Sequence, residues 1–485
     1  MTVSDRPTAL AARSPDTAAD DLVAALSPLL ERALSRGRRT LVGVTVPVTW
    51  YDPVTLFAEA RATDHETAVW LQTGAGLGLV SIGSAWAVEA TGSGRFREVR
   101  AAWSDLVEGA LVDAPSDVAG TGPVLLGGFG FGAEPASSRT WAGFESARLV
   151  LPDLLVTVCP GSTWLTACVV VEPGDDRAAV RAAAARAGRR WMALAERSGE
   201  PSQLIPAPTE LRTVRQVPEA PEWWAAVARL AGAVGRGRLD KAVLARRVDL
   251  VADQPIDVRA AVRRLEAAAE STIFAIGRGG RTFLGATPER LARSQGRGFQ
   301  TVAMAGSIRR GADAAEDARL AAELLASAKD REEQAVVVEM LRETLAPVTD
   351  WLEVPSRPAV VRLRHIQHLA TEIRGRLREP AGIVGLVERL HPTPAVGGTP
   401  RELALELIAD EERIERGWYA GPVGWLDRQG DGEFVVAIRS GVVDGRTAAL
   451  FAGCGIVADS DPQREWEESL MKLRTLAAAL GTIEP

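Results

Sequence analysis

A body of mixed α and β structure, spread over two or three domains or over one large core, is predicted by three features of the sequence. The 485 residues are 46% hydrophobic and 25% charged, which is the composition of an ordinary globular protein with enough apolar residues for a sizeable core. Apolar residues recur at helical spacing over 22–34 and over the Ala/Arg-rich 176–197, and these stretches bracket short strand-like runs at 41–48 and 149–158. In the second half β-type runs at 241–250, 271–276, 282–286 and 299–304 alternate with Gly/Arg turns, as in an antiparallel meander.

The remaining elements follow in order. Residues 1–20 are Ala, Ser, Thr, Asp and Pro with no apolar stretch of signal-peptide length, and read as a disordered tail. Five prolines between 199 and 222 argue against regular structure there and mark a boundary, dividing the chain into an N-terminal part of an α/β body (21–210) and a C-terminal region (211–485). A helical block covers 314–345. A hairpin joins 434–443 to 447–452 around Asp444-Gly445, and a closing helix runs from Pro462 to about Leu480.

Charge and cysteine content narrow the function classes. With 56 basic and 63 acidic residues the net charge is −7, and the arginines are scattered, so neither nucleic acid nor a membrane surface is an expected partner. No run approaches the ~18 apolar residues of a membrane span. Cys159, Cys168 and Cys454 lack metal or disulfide spacing, which points to a reducing cytoplasm.

Several groups could carry chemistry. The glycine clusters at 74–78 and 127–132 lack the spacing of a dinucleotide fingerprint and read as strand bends. In the closing helix Ser460-Asp461-Pro462 supplies a cap, after which Glu465, Glu468 and Lys472 fall on one face. That face is either a solvated stripe with a Glu468–Lys472 pair or, because Mg2+ takes one or two protein carboxylates, a metal site. Asp330 and Glu333 have the spacing of a capping box, a role that needs no metal. Lys241 opens an apolar run and Arg439 closes one; each is a snorkelling rim residue or, facing a cleft, a desolvated base and a carboxylate-binding fork respectively. His368 lies among apolar neighbours, as a core histidine would. No Ser/His/Asp or Cys/His logic supports a covalent nucleophile.

Taken together, ten blocks in order resemble the chorismate-utilising enzymes, and within them the isochorismate synthase branch. They are Lys241-Ala-Val-Leu-Ala-Arg246, Gly285-Ala-Thr-Pro-Glu289, Ala305-Gly-Ser307, Asp330-Arg-Glu-Glu333, His368-Leu-Ala-Thr371, His391-Pro-Thr-Pro-Ala-Val-Gly-Gly398, Gly417-Trp-Tyr-Ala-Gly-Pro422, Ala437-Ile-Arg439-Ser, Gly453-Cys-Gly-Ile-Val457 and Ser460-Asp-Pro-Gln-Arg-Glu-Trp-Glu-Glu468. The resemblance covers about 241–473; the first 210 residues match only in pieces such as Gly127-Gly-Phe-Gly-Phe131.

The resemblance implies an α+β fold, large antiparallel β-sheets flanked by helices, with the active site in a cleft. It implies Mg2+ as cofactor, held by Glu333 and Glu468 with Glu465 beside them. Chorismate would be held through Arg439, Tyr419 and the backbone of Gly453, Cys454 and Gly455, with His368, Ala395 and Lys472 also at the substrate. Lys241 would activate water for attack at C2 and Glu289 would protonate the departing C4 hydroxyl. Aminating members usually show Gln or a different context at the Lys241 position and Gly-Thr at Pro394-Ala395, and salicylate synthases tend to carry Thr at Ala395. Lys241 and Ala395 therefore favour water over ammonia and a reaction that stops at isochorismate. A monomer without a glutamine amidotransferase subunit is the expected state. Two positions depart from the family pattern: Gln334 where His is frequent, and Cys454 where Ala is more usual.

Overall fold

Successive residues of a strand face opposite ways, so a strand apolar at every position must be covered on both sides. The strand Thr272–Arg278 shows the result: Phe274 and Ile276 pack into one core while Ile273 and Ala275 pack into another. The computed structural model describes residues 13–63, 66–115, 117–199, 205–267, 272–363 and 366–483. Among them two large, almost wholly antiparallel sheets, of 14 and 10 strands, face each other across a core that includes Trp70, Phe274 and Phe283 of one sheet and Phe129, Val423 and Phe434 of the other. A second core lies beneath the helices Pro15–Arg36, Pro53–Arg61, Arg177–Arg197, Val258–Ala267 and Pro462–Leu480, on the outer face of the larger sheet. A third, smaller one joins the helices Ala220–Gly235 and Arg401–Glu411 to Ala242, Leu244, Cys454 and Ile456. This is the α+β architecture that the resemblance implied.

The sheets do not respect a division near residue 210. Glu66–Gln72 pairs with Thr272–Arg278 in the larger sheet, and Val124–Phe129 pairs with Pro422–Asp427 in the smaller. The proline-rich stretch is ordered from Thr209: the strand Thr209–Val217 pairs with Lys241–Ala252, and Pro221 opens a helix rather than breaking one. The tail also ends earlier than its composition suggests, because Ser14 caps a helix that starts at Pro15; residues 1–12 lie outside the described residues. Three further expectations are corrected. Lys241–Ala252 pairs with Thr447–Ile456 rather than with the next strand in sequence, so the meander reduces to the hairpin of Thr272–Arg278 and Arg281–Thr287. The helical block is two helices, Ala314–Ala326 and Ala328–Leu345, broken at Ser327. The run at 149–158 splits at Pro152-Asp153 into strands of different sheets, Ala147–Leu151 and Leu154–Cys159.

An aromatic cluster packs onto the inner face of the larger sheet. Trp141 is 1% exposed and lies 5.3 Å from Phe451 and 5.4 Å from Phe283, ring to ring, with its Nε1 donating to Glu415 O. Phe451 in turn stacks on Tyr419 at 5.3 Å. Trp141→Ala should lower the unfolding free energy by about 3–5 kcal/mol, read as a fall in the denaturant midpoint.

Candidate active site

One cavity of about 250 Å³ opens between the sheets near the start of the strand Lys241–Ala252. Of the thirteen residues singled out from the sequence, twelve line it: Lys241, Glu289, Glu333, His368, Ala395, Tyr419, Arg439, Gly453, Gly455, Glu465, Glu468 and Lys472. Cys454 does not. Strand alternation turns its fully buried side chain to the opposite face, where its thiol donates to Glu465 O at 3.1 Å, and burial pushes that thiol well above its ordinary pKa.

The positions of the charged groups follow from local chain geometry. Glu333 is free of capping duty because the cap sits one turn earlier than its spacing suggests: Ser327 Oγ accepts from Asp330 N, which leaves Asp330, not Glu333, in the capping pair. Glu333 Oε1 then receives Lys241 Nζ at 2.7 Å. The pair fits only because position 455 is glycine; a Cβ there would lie 2.6 Å from Lys241 Cε and 2.9 Å from Glu333 Oε1. Lys241 is 2% exposed, so it is no rim residue.

Arg439 stands where the chain changes sheets. The apolar run read as one strand is two, Gly432–Val436 in the smaller sheet and Ser440–Asp444 in the larger; only the second pairs with Thr447–Ile456 across Asp444-Gly445. Between them Arg439 adopts φ 52° and Ala420, on the facing loop, φ 61°. Two left-handed non-glycine residues at one crossing are the kind of strain that collects at functional sites. Arg439 donates through Nη2 to His368 Nε2 at 3.2 Å. Because arginine can only donate, Nε2 is an acceptor, and the ring proton sits on Nδ1, within 3.2 Å of Gly306 O. Burial and the charges of Arg439 and Lys472 push His368 down to about 3, so it is neutral. His365, its sequence neighbour, lies outside the described residues.

The closing helix begins as the sequence predicts, with Asp461 accepting from Arg464 N and Pro462 in the first turn. Its acidic face is only partly solvated, with Glu468 half-buried beside Lys472. Glu465 is 4% exposed, and burial with the neighbouring Glu468 charge pushes its carboxyl up to about 7. Lys472 Nζ holds Glu468 Oε1 at 2.6 Å and Gly453 O at 2.9 Å; despite burial, the Lys472 charge keeps Glu468 below the usual carboxylate range. Across the cavity, burial outweighs the pull of Lys241, Arg439 and Lys472 and raises Glu289 to about 7. Burial likewise raises Tyr419 to about 12.

Sequence reasoning missed Lys329, Arg416 and Ser307, which also line the cavity. Ser307 Oγ lies 3.1 Å from His368 Nδ1. Arg416 is buried, ion-paired with Glu412, and donates to Val243 O at 2.6 Å and Val396 O at 2.8 Å, tying three segments together. Gln334, a departure from the family pattern, points to Ala303 O and Thr371 Oγ1 at 3.0 and 3.1 Å and buttresses the helix that carries Glu333.

The family model described as chorismate binding enzyme matches residues 28–481. The chain belongs to the chorismate-binding enzymes. The match reaches well into the first 210 residues, in keeping with sheets that draw strands from both halves. Among relatives, this chorismate-binding chain is 38% identical to a salicylate biosynthesis isochorismate synthase of Pseudomonas aeruginosa over 468 residues, 95% of each chain. It is 34% identical to the isochorismate synthase MenF of Bacillus subtilis, over 93% of this chain and 96% of that one. Among solved structures it resembles MenF, the menaquinone-specific isochorismate synthase from Escherichia coli, with a TM-score of 0.75 and 27% identity over 94% of this chain and 99% of that one.

Proposed function

We propose that this chain is an isochorismate synthase, an isomerase that converts chorismate to isochorismate and so supplies menaquinone or siderophore and salicylate biosynthesis. The observation that carries the reading is the convergence of Lys241, Glu289, Arg439 and three carboxylates on one buried cavity, in a chain whose relatives bear that name over nearly their whole length.

Each proposed role follows from what the side chain offers. The Arg439 guanidinium, its orientation fixed by neutral His368, suits the enolpyruvyl carboxylate, with Tyr419 and the N–H groups around Gly453–Gly455 beside it. Lys241, in its neutral amine form, takes a proton from water as the oxygen bonds to C2. The ring double bonds shift, the C4–O bond breaks, and Glu289 gives its proton to the leaving hydroxyl, so that water enters and water departs. Glu289, raised to about 7, still holds a proton near neutrality where an ordinary carboxyl does not.

The carboxylates also fit a divalent cation. Oxygens of Glu465 and Glu468 lie within 4.8 Å of each other and of Cys454 Sγ, and two carboxylates this close, one buried and one half-buried, are stabilised by a cation between them. Glu333 lines the same cavity, although it stands outside that cluster and is paired with Lys241. Glu333 and Glu468 would hold Mg2+ directly, with Glu465 acting beside them. When bound, Mg2+ supplies neutralisation of the ring carboxylate as the ring electrons shift. EDTA is therefore expected to abolish turnover and excess Mg2+ to restore it.

The reading places the enzyme in the cytoplasm as a monomer that acts on free chorismate without an amidotransferase subunit, nucleic acid or membrane. Its cysteines are free thiols, and no helix among the described residues is long and apolar enough to cross a membrane. Purified protein incubated with chorismate and Mg2+, with and without ammonium, tests it by chromatography. Isochorismate in both tubes supports the reading; an aminated product, or none, refutes it.

A further inference from the structure

Arg246 is fully buried, yet no carboxylate lies within ion-pair distance of it among the described residues. Burying a cation without an acid is costly, and an aliphatic side chain of similar length would fill the same space in the small core around Leu244, Cys454 and Ile456 at lower cost. The guanidinium must therefore supply something directional. Its Cζ lies 3.3 Å from the centre of the Trp466 ring, its Nη1 donates to Ser469 Oγ at 2.9 Å, and its Nη2 donates to Gln216 Oε1. The Ser469 hydroxyl in turn donates a hydrogen bond to Trp466 O at 2.6 Å.

Trp466 and Ser469 are each one residue beyond a cavity carboxylate, Glu465 and Glu468. Arg246 thus grips the back of the helical turns whose front carries both acids. It stands on the strand that begins with Lys241, so the grip ties the Lys241–Glu333 side of the cavity to the Glu465–Glu468 side. Strand alternation keeps it out of the cavity, since Lys241 and Val243 face the cavity while Ala242 and Leu244 belong to the small third core, against which Trp466 packs.

We propose that Arg246 is a positioning residue that sets the depth and rotation of the closing helix, and through it the separation of the carboxylates that take the divalent cation. The inference rests on the proposed metal reading of those carboxylates. Groups that orient metal ligands from behind are typically worth about 10–100-fold in metal affinity.

Calorimetric titration with Mn2+ alone, in the absence of substrate, tests it on wild type, Arg246→Met, Arg246→Lys and Trp466→Phe. Arg246→Met should weaken Mn2+ binding by about 10-fold or more and raise the Mg2+ needed for half-maximal turnover equally, with kcat recovered at saturating Mg2+. Arg246→Lys, which keeps the charge but not the planar fork, should behave like Arg246→Met; Trp466→Phe, which keeps a ring under the guanidinium, should behave like wild type. Should Arg246→Met fail to fold, Ser469→Ala is the second variant, with a smaller loss in the same direction. Wild-type Mn2+ affinity in Arg246→Met or Arg246→Lys, or in Ser469→Ala where it stands in, overturns the inference alone. A fall in thermal midpoint with unchanged Mn2+ binding also overturns it, showing a purely structural role. If wild type itself takes up no Mn2+, the metal reading falls and this inference with it.

Discussion

Glu289→Gln should lower kcat by about 10²–10⁴-fold while circular dichroism and thermal midpoint stay near wild type, because the amide fills the same space but has no proton to give. Burial raises the Glu289 carboxyl to about 7, against the opposing pull of Lys241, Arg439 and Lys472. The carboxyl is protonated below that value, so its loss of the proton should lower kcat as pH rises beyond 7, about tenfold per unit. In Glu289→Gln that alkaline limb should vanish along with the rate. A variant that kept the wild-type rate, or the limb, would remove Glu289 from proton transfer.

Lys241→Ala should be comparably severe, about 10²–10⁴-fold in kcat, for the loss of the group that takes a proton from the attacking water. It also strips Glu333 of its 2.7 Å partner and takes a competing positive charge from the proposed cation site, so turnover should fall without a matching loss of metal affinity. Arginine should not rescue it. The methylene stem of Lys241 already packs where a Cβ on residue 455 would come within 2.6 Å of it, leaving no room for a wider guanidinium. Steady-state rates at saturating chorismate and Mg2+ check both variants, and wild-type turnover in Lys241→Ala would mean that another group activates the water.

What could be read from the sequence was what is written in short-range pattern. The closing helix was legible from end to end because Asp461 and Pro462 mark its start and the apolar spacing holds to Leu480. The break at Ser327 was hidden, since no proline or glycine marks it and the helical spacing runs on through it. The change of sheet at Arg439 was hidden for a related reason: the unbroken apolar run Phe434-Val-Val-Ala-Ile438 before it and Val442-Val443 after it read as one strand and conceal a left-handed arginine, a conformation that sequence signals mainly when the residue is glycine. The proline density near 210 was over-weighted, because edge positions and helix starts tolerate proline; Pro221 sits in such a start.

The site was legible where a motif placed a charge beside apolar residues, as at Lys241, Glu289 and Arg439. It was not legible where tertiary contacts decide the role. Lys329 looks like any exposed helix-start lysine, and the Arg416 links to Val243 and Val396 span 173 and 20 residues. Cys454 shows the limit in the other direction: a motif can place a residue in the right block while strand alternation turns its side chain away from the cavity.

The central claim is that water adds at C2 while the C4 hydroxyl leaves, and it is tested most directly by running the reaction in H2 18O and resolving the product by mass. The account predicts isochorismate carrying one 18O, on C2, formed only with Mg2+ present. Unlabelled isochorismate, or salicylate with pyruvate as the main products, would contradict it.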